Sequence, residues 1–422
     1  MQSHIKKLKL VIFTQYFPPE MGAPQSRLYE FAKGFSERGW DVSVVTAMPN
    51  YPTGSIFPGY RKKLRIHETF EELDVNRYWL YASNSARAVP RIVSMLSFSF
   101  SSFFSFFRLR KHKPDIIFVE SPPLTLGFTG YLLSRFTGAQ FALNISDIWP
   151  LSAYHLGAIS KGFLYRRIEQ LERFLYRKSA ICTGQSNEIV THLTENGARK
   201  TFLFRNGVDT TRFKDIRKIN NISGTSFVYA GLLGVAQGVY AICREINFKE
   251  LGVEFHIYGE GYEKKRIQNY VKENPERGII LHEPVDRSAI PEVLASHDGT
   301  IIPLVKNIYG AVPSKIYEAM AAGLPILFSG DGEGASIVEE HKAGMVSPAG
   351  DMEALRENIR TFIEEKHKRE EYSINCLAAA RNIFDRRKII DRFDVVLREM
   401  VEGRRMKGSA YAKKQASADK QR

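Results

Sequence analysis

The run Gly310-Ala311-Val312-Pro313-Ser314-Lys315-Ile316-Tyr317-Glu318, continuing to Gly323-Leu324-Pro325, holds the residues best suited to chemistry on a phosphorylated ligand. Pro313 suits the first turn of a helix, and Gly323 with Pro325 suits its end. A helix beginning near Val312 to Ser314 offers free backbone N–H groups and a positive dipole end, a natural seat for a diphosphate. Lys315 lies beside that seat. Glu318, three residues on, shares its face, where a carboxylate can accept two hydrogen bonds from a ribose diol. The plainer alternative is an amphipathic helix with a solvent-exposed Lys/Glu pair. Two further carboxylates, Asp147 and Glu120, each follow an apolar stretch and precede prolines, so each is expected at the carboxyl end of a strand.

These residues need a frame. Apolar runs at 9–15, 41–47, 75–81, 116–120, 141–146, 180–184 and 201–205 alternate with helical patterns, the signature of a parallel sheet covered on both faces. Residues 206–224 are polar and rich in turn signals, which reads as a linker. A second alternation follows, with strands expected at 226–230, 253–258, 278–282, 299–303 and 325–328. The expectation is an α/β chain of two Rossmann-like domains, 1–205 and 206–384, with a cleft between them fed by loops from both. A final helix near 385–402 is expected to pack back on the first domain, ahead of a basic, frayed tail at 403–422.

The run from Pro313 to Pro325 resembles the donor-binding signature of retaining, nucleotide-sugar-dependent glycosyltransferases of family 4, which have the GT-B fold. Collinear segments agree: Tyr16-Phe17-Pro18-Pro19-Glu20 with Gly22, Asp147-Ile148-Trp149-Pro150, Asn206-Gly207-Val208-Asp209, Tyr229-Ala230-Gly231, Ala236-Gln237-Gly238 and Tyr258-Gly259-Glu260-Gly261. The resemblance spans about residues 9 to 400 and is nearest to bacterial enzymes that build O-antigen, capsule and colanic-acid-type polysaccharides. It implies that Glu318 holds the donor ribose and Lys315 the diphosphate. Gly22, Arg205, Asn206, Gly231, Gln237, Gly259, Pro313 and Ser314 would complete donor binding, with Arg27 a further possible cation. Asp147 stands near the place where many relatives carry a sugar-contacting His, and would orient a sugar hydroxyl or accept the acceptor's proton; the alternative is a turn or N-cap aspartate. Two departures are plain: Gly310 stands where a first glutamate is usual, and the common Arg and Lys after the first strand of the second domain are replaced by Leu232 or Leu233 and Gln237. No cofactor is implied, a divalent metal is optional, and no Asp-x-Asp motif is present.

The 422 residues carry 60 Lys plus Arg against 46 Asp plus Glu, a formal charge of +14. Residues 1–113 hold 17 basic and 8 acidic side chains and residues 401–422 hold 7 and 2, so the stretch between is neutral. Cys182, Cys243 and Cys376 are too scattered for a zinc or redox motif, which fits a cytoplasmic setting. Residues 92–107 contain only apolar residues, six of them Phe, and Ser. Arg87 and Arg91 stand at one end and Arg108, Arg110, Lys111 and Lys113 at the other. This pattern predicts a helix seated at an anionic bilayer surface through Phe103, Phe104, Phe106, Phe107 and Arg108, too short and Ser-rich to span; the alternative is a core helix. The resulting expectation is a peripheral enzyme on the inner face of the cytoplasmic membrane, transferring a sugar from a UDP-type donor to a polyprenyl-diphosphate-linked acceptor, with no nucleic-acid partner. A nucleotide-sugar epimerase and a non-catalytic sugar- or lipid-binding component of an assembly complex are the competing readings.

Overall fold

The computed structural model describes residues 7–85, 87–155, 159–214, 224–306 and 309–419. Two compact units emerge: residues 1–204 together with 390–422, and residues 205–389.

The first unit is built on an eight-stranded sheet. Its strands are β1 (Lys9–Phe13), β2 (Asp41–Ala47), β3 (Arg65–Phe70), β4 (Leu73–Tyr78), β5 (Ile116–Ser121), β6 (Gln140–Ile145), β7 (Ile181–Gly184) and β8 (Thr201–Leu203), in the spatial order β3-β4-β2-β1-β5-β6-β7-β8. All pairs are parallel except β3 with β4. The central strands are nearly continuous runs of Val, Ile and Phe because both faces are covered. β3 has no such run. It alternates exposed and half-buried residues, as an antiparallel edge must, and its charged sequence hid it from an apolar-run reading.

The second unit holds six parallel strands: β9 (Thr225–Leu232), β10 (Val253–Glu260), β11 (Ile279–His282), β12 (Gly299–Pro303), β13 (Ile326–Ser329) and β14 (Gly344–Ser347), ordered β11-β10-β9-β12-β13-β14. Apolar clusters on its two faces centre on Ile316, Met320 and Phe328, and on Phe227, Phe255 and Phe362. β14, Gly-Met-Val-Ser, is too short and mixed to announce itself in the sequence.

Residues 206–214, expected as linker, are part of the second unit. Val208 bridges Asp385, and Arg386 donates to the carbonyls of Asn206 and Gly207 at 2.8 Å. The last helix, Arg386–Asp419, crosses the boundary between the units in sequence. Its Phe393 lies 4.5 Å from Phe204 and 4.9 Å from Phe202, ring centre to ring centre, inside the first unit's core. The helix continues to Asp419 through the stretch expected to fray, since Ala, Lys, Arg and Gln are strong helix formers.

Candidate active site

The sequence-predicted donor residues of the second unit gather at the carboxyl ends of β9, β10 and β12. The helix Lys315–Ala322 starts after Ser314, whose hydroxyl makes no capping hydrogen bond, and ends at Gly323 in the left-handed conformation, φ +64°. Lys315 is half-buried, with its ammonium 5.2 Å from the centre of the Tyr229 ring, and burial pushes its pKa down while Glu318 opposes the shift. Space for the lysine is made by glycine. A Cβ on Gly231 would stand 2.3 Å from Lys315 Cε and 2.7 Å from Nζ, and Gly231 adopts φ +147°. Gly259, paired with Gly231 across β9 and β10, could carry no side chain either, because its Cβ would fall 2.1 Å from the Gly231 carbonyl oxygen.

Glu318 has a partner that the sequence did not disclose. Arg212 Nη1 lies 3.7 Å from its carboxylate, and Arg212 also donates to the Arg287 carbonyl. Asp209 fixes that arginine indirectly by accepting from the amide of Thr211 at 3.0 Å and from its hydroxyl at 2.6 Å, closing the turn Thr210–Phe213. The Asn206-to-Asp209 motif thus reads as a cap that presents Arg212. Burial and the neighbouring Arg287 lower the Arg212 pKa, against the pull of Glu318.

Other predicted donor residues play supporting parts. Gln237 Oε1 accepts from the Gly234 amide at 3.2 Å, shaping the loop before Gly238, and Gln237 lines a cavity of about 400 Å³ with Pro303, Leu304, Val305 and Ser329. Arg205, expected to face the diphosphate, is instead paired with Glu333 at 2.6 Å, both side chains nearly buried, so its charge is committed to the start of the helix Glu333–Glu340. Asn206 contributes its carbonyl to Arg386. Gly310 sits at φ +89°, a conformation that favours glycine over the glutamate usual there.

In the first unit, Gly22 caps the helix Ala23–Glu37, and a Cβ there would meet the Gln25 amide oxygen at 2.3 Å. Arg27 is committed to Glu120 in a buried ion pair; Glu120 also accepts from Asn144 at 2.7 Å, and Arg27 donates to Gln185 at 2.9 Å. Glu120 lies at the carboxyl end of β5 as expected, and its charge and that of Arg27 are held in one network at the ends of β5 to β7. Asp147 follows β6 half-buried; burial raises its pKa, while hydrogen bonds from Ser152 and the Ile148 backbone pull it back. Glu20 emerges as a builder. Its Oε1 accepts from the amides of Asn50 at 2.7 Å and Tyr51 at 2.9 Å, holding that loop beside Tyr16. A cavity of about 300 Å³ lies there, lined by Gln15, Tyr16, Asn50, Tyr51, Asn84 and Arg91 among others.

The expected membrane residues divide. Phe104 and Phe107 are exposed, but Phe103 and Phe106 pack edge-on against Phe136, with centroids at 6.3 and 5.8 Å. Arg108 is bound to Asp74 at 2.7 Å, an internal tie to β4. Among the described residues, Val89–His112 is one helical run long and apolar enough by length and composition to cross a membrane, with about a third of its most apolar stretch buried in the protein. No group of three or more His, Cys, Asp or Glu side chains among the described residues is placed to hold a metal ion.

Comparison with known proteins agrees with this arrangement in both halves. Residues 22–207 match the glycosyl transferase 4-like domain family, and residues 225–365 match the glycosyl transferases group 1 family. A protein of Escherichia coli (strain K12) bearing the name of a colanic acid biosynthesis glycosyl transferase, WcaI, is 24% identical over 338 residues, covering 75% of this chain and 82% of its own. Among solved structures, sucrose-phosphate synthase from Thermosynechococcus elongatus superposes with a TM-score of 0.72 at 14% identity, over 94% of this chain and 100% of that one. HepE of Anabaena, solved with UDP and glucose, gives a TM-score of 0.66 at 17% identity, covering 93% of this chain and 100% of its own.

Proposed function

Since the chain is a glycosyltransferase of the two-Rossmann GT-B fold, we propose that it transfers a sugar, with retention of anomeric configuration, from a UDP-linked donor to a lipid-linked saccharide acceptor during synthesis of a bacterial surface polysaccharide. One observation carries the reading furthest: Lys315, Glu318 and Arg212 stand together at the head of a helix where Gly231 and Gly259 keep the approach open. The UDP and glucose bound to HepE support the donor, and the naming of WcaI for colanic acid biosynthesis supports the polysaccharide.

Cleavage of the anomeric C–O bond leaves its electron pair on the diphosphate. The Lys315 ammonium and the helix N-terminus beside it stabilise that charge as it develops. Glu318 takes the ribose hydroxyls, and Arg212 aims its carboxylate. Retention requires the acceptor hydroxyl on the leaving-group face, and Asp147 of the first unit serves to orient a sugar hydroxyl or accept the acceptor's proton; the raised pKa of a half-buried carboxyl suits a base. The enzyme works as a peripheral protein on the inner face of the cytoplasmic membrane.

The test is nucleotide release followed with a donor panel and a membrane extract. Glu318→Ala abolishes transfer by weakening donor binding, and Lys315→Ala impairs departure of the leaving group. Near-normal turnover in either variant overturns the assignment. UDP release that ignores the lipid acceptor points to an epimerase, and donor affinity without any transfer points to a binding component.

A further inference from the structure

The run Val89–His112 is amphipathic in the reverse of the usual sense. Its serines point into the protein: Ser94, Ser99, Ser102 and Ser105 are buried, with Ser99 Oγ 2.8 Å from Thr125 Oγ1 and Thr129 donating to the Ser99 carbonyl at 2.9 Å. Phe98 and Leu109 are buried among them, but most of its other large apolar side chains point away. Val89, Ile92, Val93, Leu96, Phe100, Phe104 and Phe107 are all exposed, Phe100 at 72% and Phe107 at 71%. Apart from the adjacent Ile92 and Val93 they recur every three or four residues, forming one stripe along the helical run. A helix that hides hydroxyls and presents phenylalanines is arranged for a hydrocarbon neighbour. Arg87 and Arg91 stand at its start and Arg110, Lys111 and Lys113 at its end, all exposed, a charge pattern complementary to a phosphate-bearing surface.

The cavity beside Glu20 abuts the start of this stripe. Arg91, Ser94 and Met95 line it from the helix, while Ile92, Val93 and Leu96 between and beyond them face outward. Its remaining walls are polar: Gln15, Tyr16, Asn50, Tyr51 and Asn84. Gln15 is 4% exposed, and its amide oxygen has no hydrogen-bond partner among the described residues. Arg91 makes no ion pair among the described residues. A buried amide in want of a donor and an unpaired guanidinium, set in a pocket that opens beside an apolar ramp, suit a hydroxyl-rich, phosphorylated head joined to a hydrocarbon chain.

We infer that the first unit holds a single amphiphile-binding site: the cavity around Gln15, Asn50, Asn84 and Arg91 takes the phosphorylated head of a lipid, and the Val89-to-Phe107 stripe lies in the leaflet alongside its chain. The inference rests on the lipid-linked acceptor proposed above and gives it a location.

The experiment is vesicle co-sedimentation of the full chain. Vesicles of phosphatidylcholine alone are compared with vesicles containing polyprenyl phosphate and with vesicles containing phosphatidylglycerol at matched anionic charge. Wild-type protein favours the polyprenyl phosphate vesicles. Replacing Phe100, Phe104 and Phe107 together by Ser, all exposed and so tolerated by the fold, lowers binding to every vesicle roughly a hundredfold or more. Arg91→Gln removes the preference for polyprenyl phosphate, roughly tenfold, and spares most of the phosphatidylglycerol binding. Equal loss on both anionic vesicles, or none, overturns the head-site assignment. Unchanged binding of the triple Phe variant overturns the stripe. UDP affinity, measured in parallel, confirms intact protein. Arg91-dependent lipid binding in a protein that transfers nothing leaves this inference standing and removes the proposed function; normal transfer to detergent-dispersed acceptor with Arg91-independent lipid binding does the converse.

Discussion

Gly231→Ala is a perturbation of one methyl group whose effect can be worked out in advance. The added Cβ would stand 2.3 Å from Lys315 Cε and 2.7 Å from Nζ, far inside van der Waals contact, so the flexible lysine must withdraw. The backbone at φ +147° adds strain for any residue with a Cβ, of order 1–3 kcal/mol. Withdrawal of the ammonium from a bound diphosphate forfeits a charge-assisted hydrogen bond, worth about 1.5–3 kcal/mol, or roughly ten- to 150-fold in affinity. Isothermal titration with UDP and with uridine separates this from general damage. UDP binding weakens by that factor, uridine binding is unchanged, and Lys315→Ala in the same assay gives a loss of the same size. A Gly231→Ala protein that binds UDP like the wild type refutes the idea that this glycine places the lysine. Weakening of uridine to the same extent refutes the assignment of Lys315 to the diphosphate.

Three more outcomes are expected. Because burial holds the Lys315 pKa below the ordinary lysine value of about 10.4, UDP affinity declines as pH rises before that value is reached; Lys315→Arg flattens the profile, and a wild-type profile as flat as the variant's argues against the lysine. His297 is buried and its pKa is pushed down to about 4, chiefly by desolvation. The unfolded chain therefore binds the proton more readily, and stability present above about pH 6.5 is lost as pH falls towards 4, by roughly 3 kcal/mol for this one group. Urea midpoints across that range measure the slope, which His297→Gln reduces. Glu20→Ala orphans the amides of Asn50 and Tyr51 and costs about 2–4 kcal/mol, read as a fall in melting temperature; a change below half a kcal/mol shows that the loop does not depend on it.

Parallel strands buried on both faces are the most legible objects in this sequence, and β2 and β12 occupy the very residues that their apolar runs indicate. What escaped was either too polar, as with β3, or too short, as with β14. The Lys315/Glu318 face was readable because helical spacing alone sets it. Arg212 was not, since its approach to Glu318 depends on a turn closed by Asp209 a hundred residues earlier in the chain than the carboxylate it meets. Sequence also cannot say which arginines are already occupied. Arg27, Arg108 and Arg205 all looked available for ligand or lipid, and each turned out to be held by a carboxylate from a distant element. The same limit applies to Phe103 and Phe106, whose neighbour Phe136 comes from the following helix.

Phe393 gives the order of synthesis a structural meaning. The first unit's aromatic core joins Phe35, Phe118, Phe202 and Phe204 to a side chain encoded almost two hundred codons downstream. At elongation speeds of about 5–20 residues per second, the ribosome spends on the order of ten to forty seconds between those points. Throughout that interval the eight strands are complete but the groove awaiting the last helix stands open and apolar. The second unit is made entirely within the same interval. A nascent chain halted before residue 390 is therefore expected to be the chaperone-dependent species, and its two sheets finish folding in the reverse of the order in which they were translated.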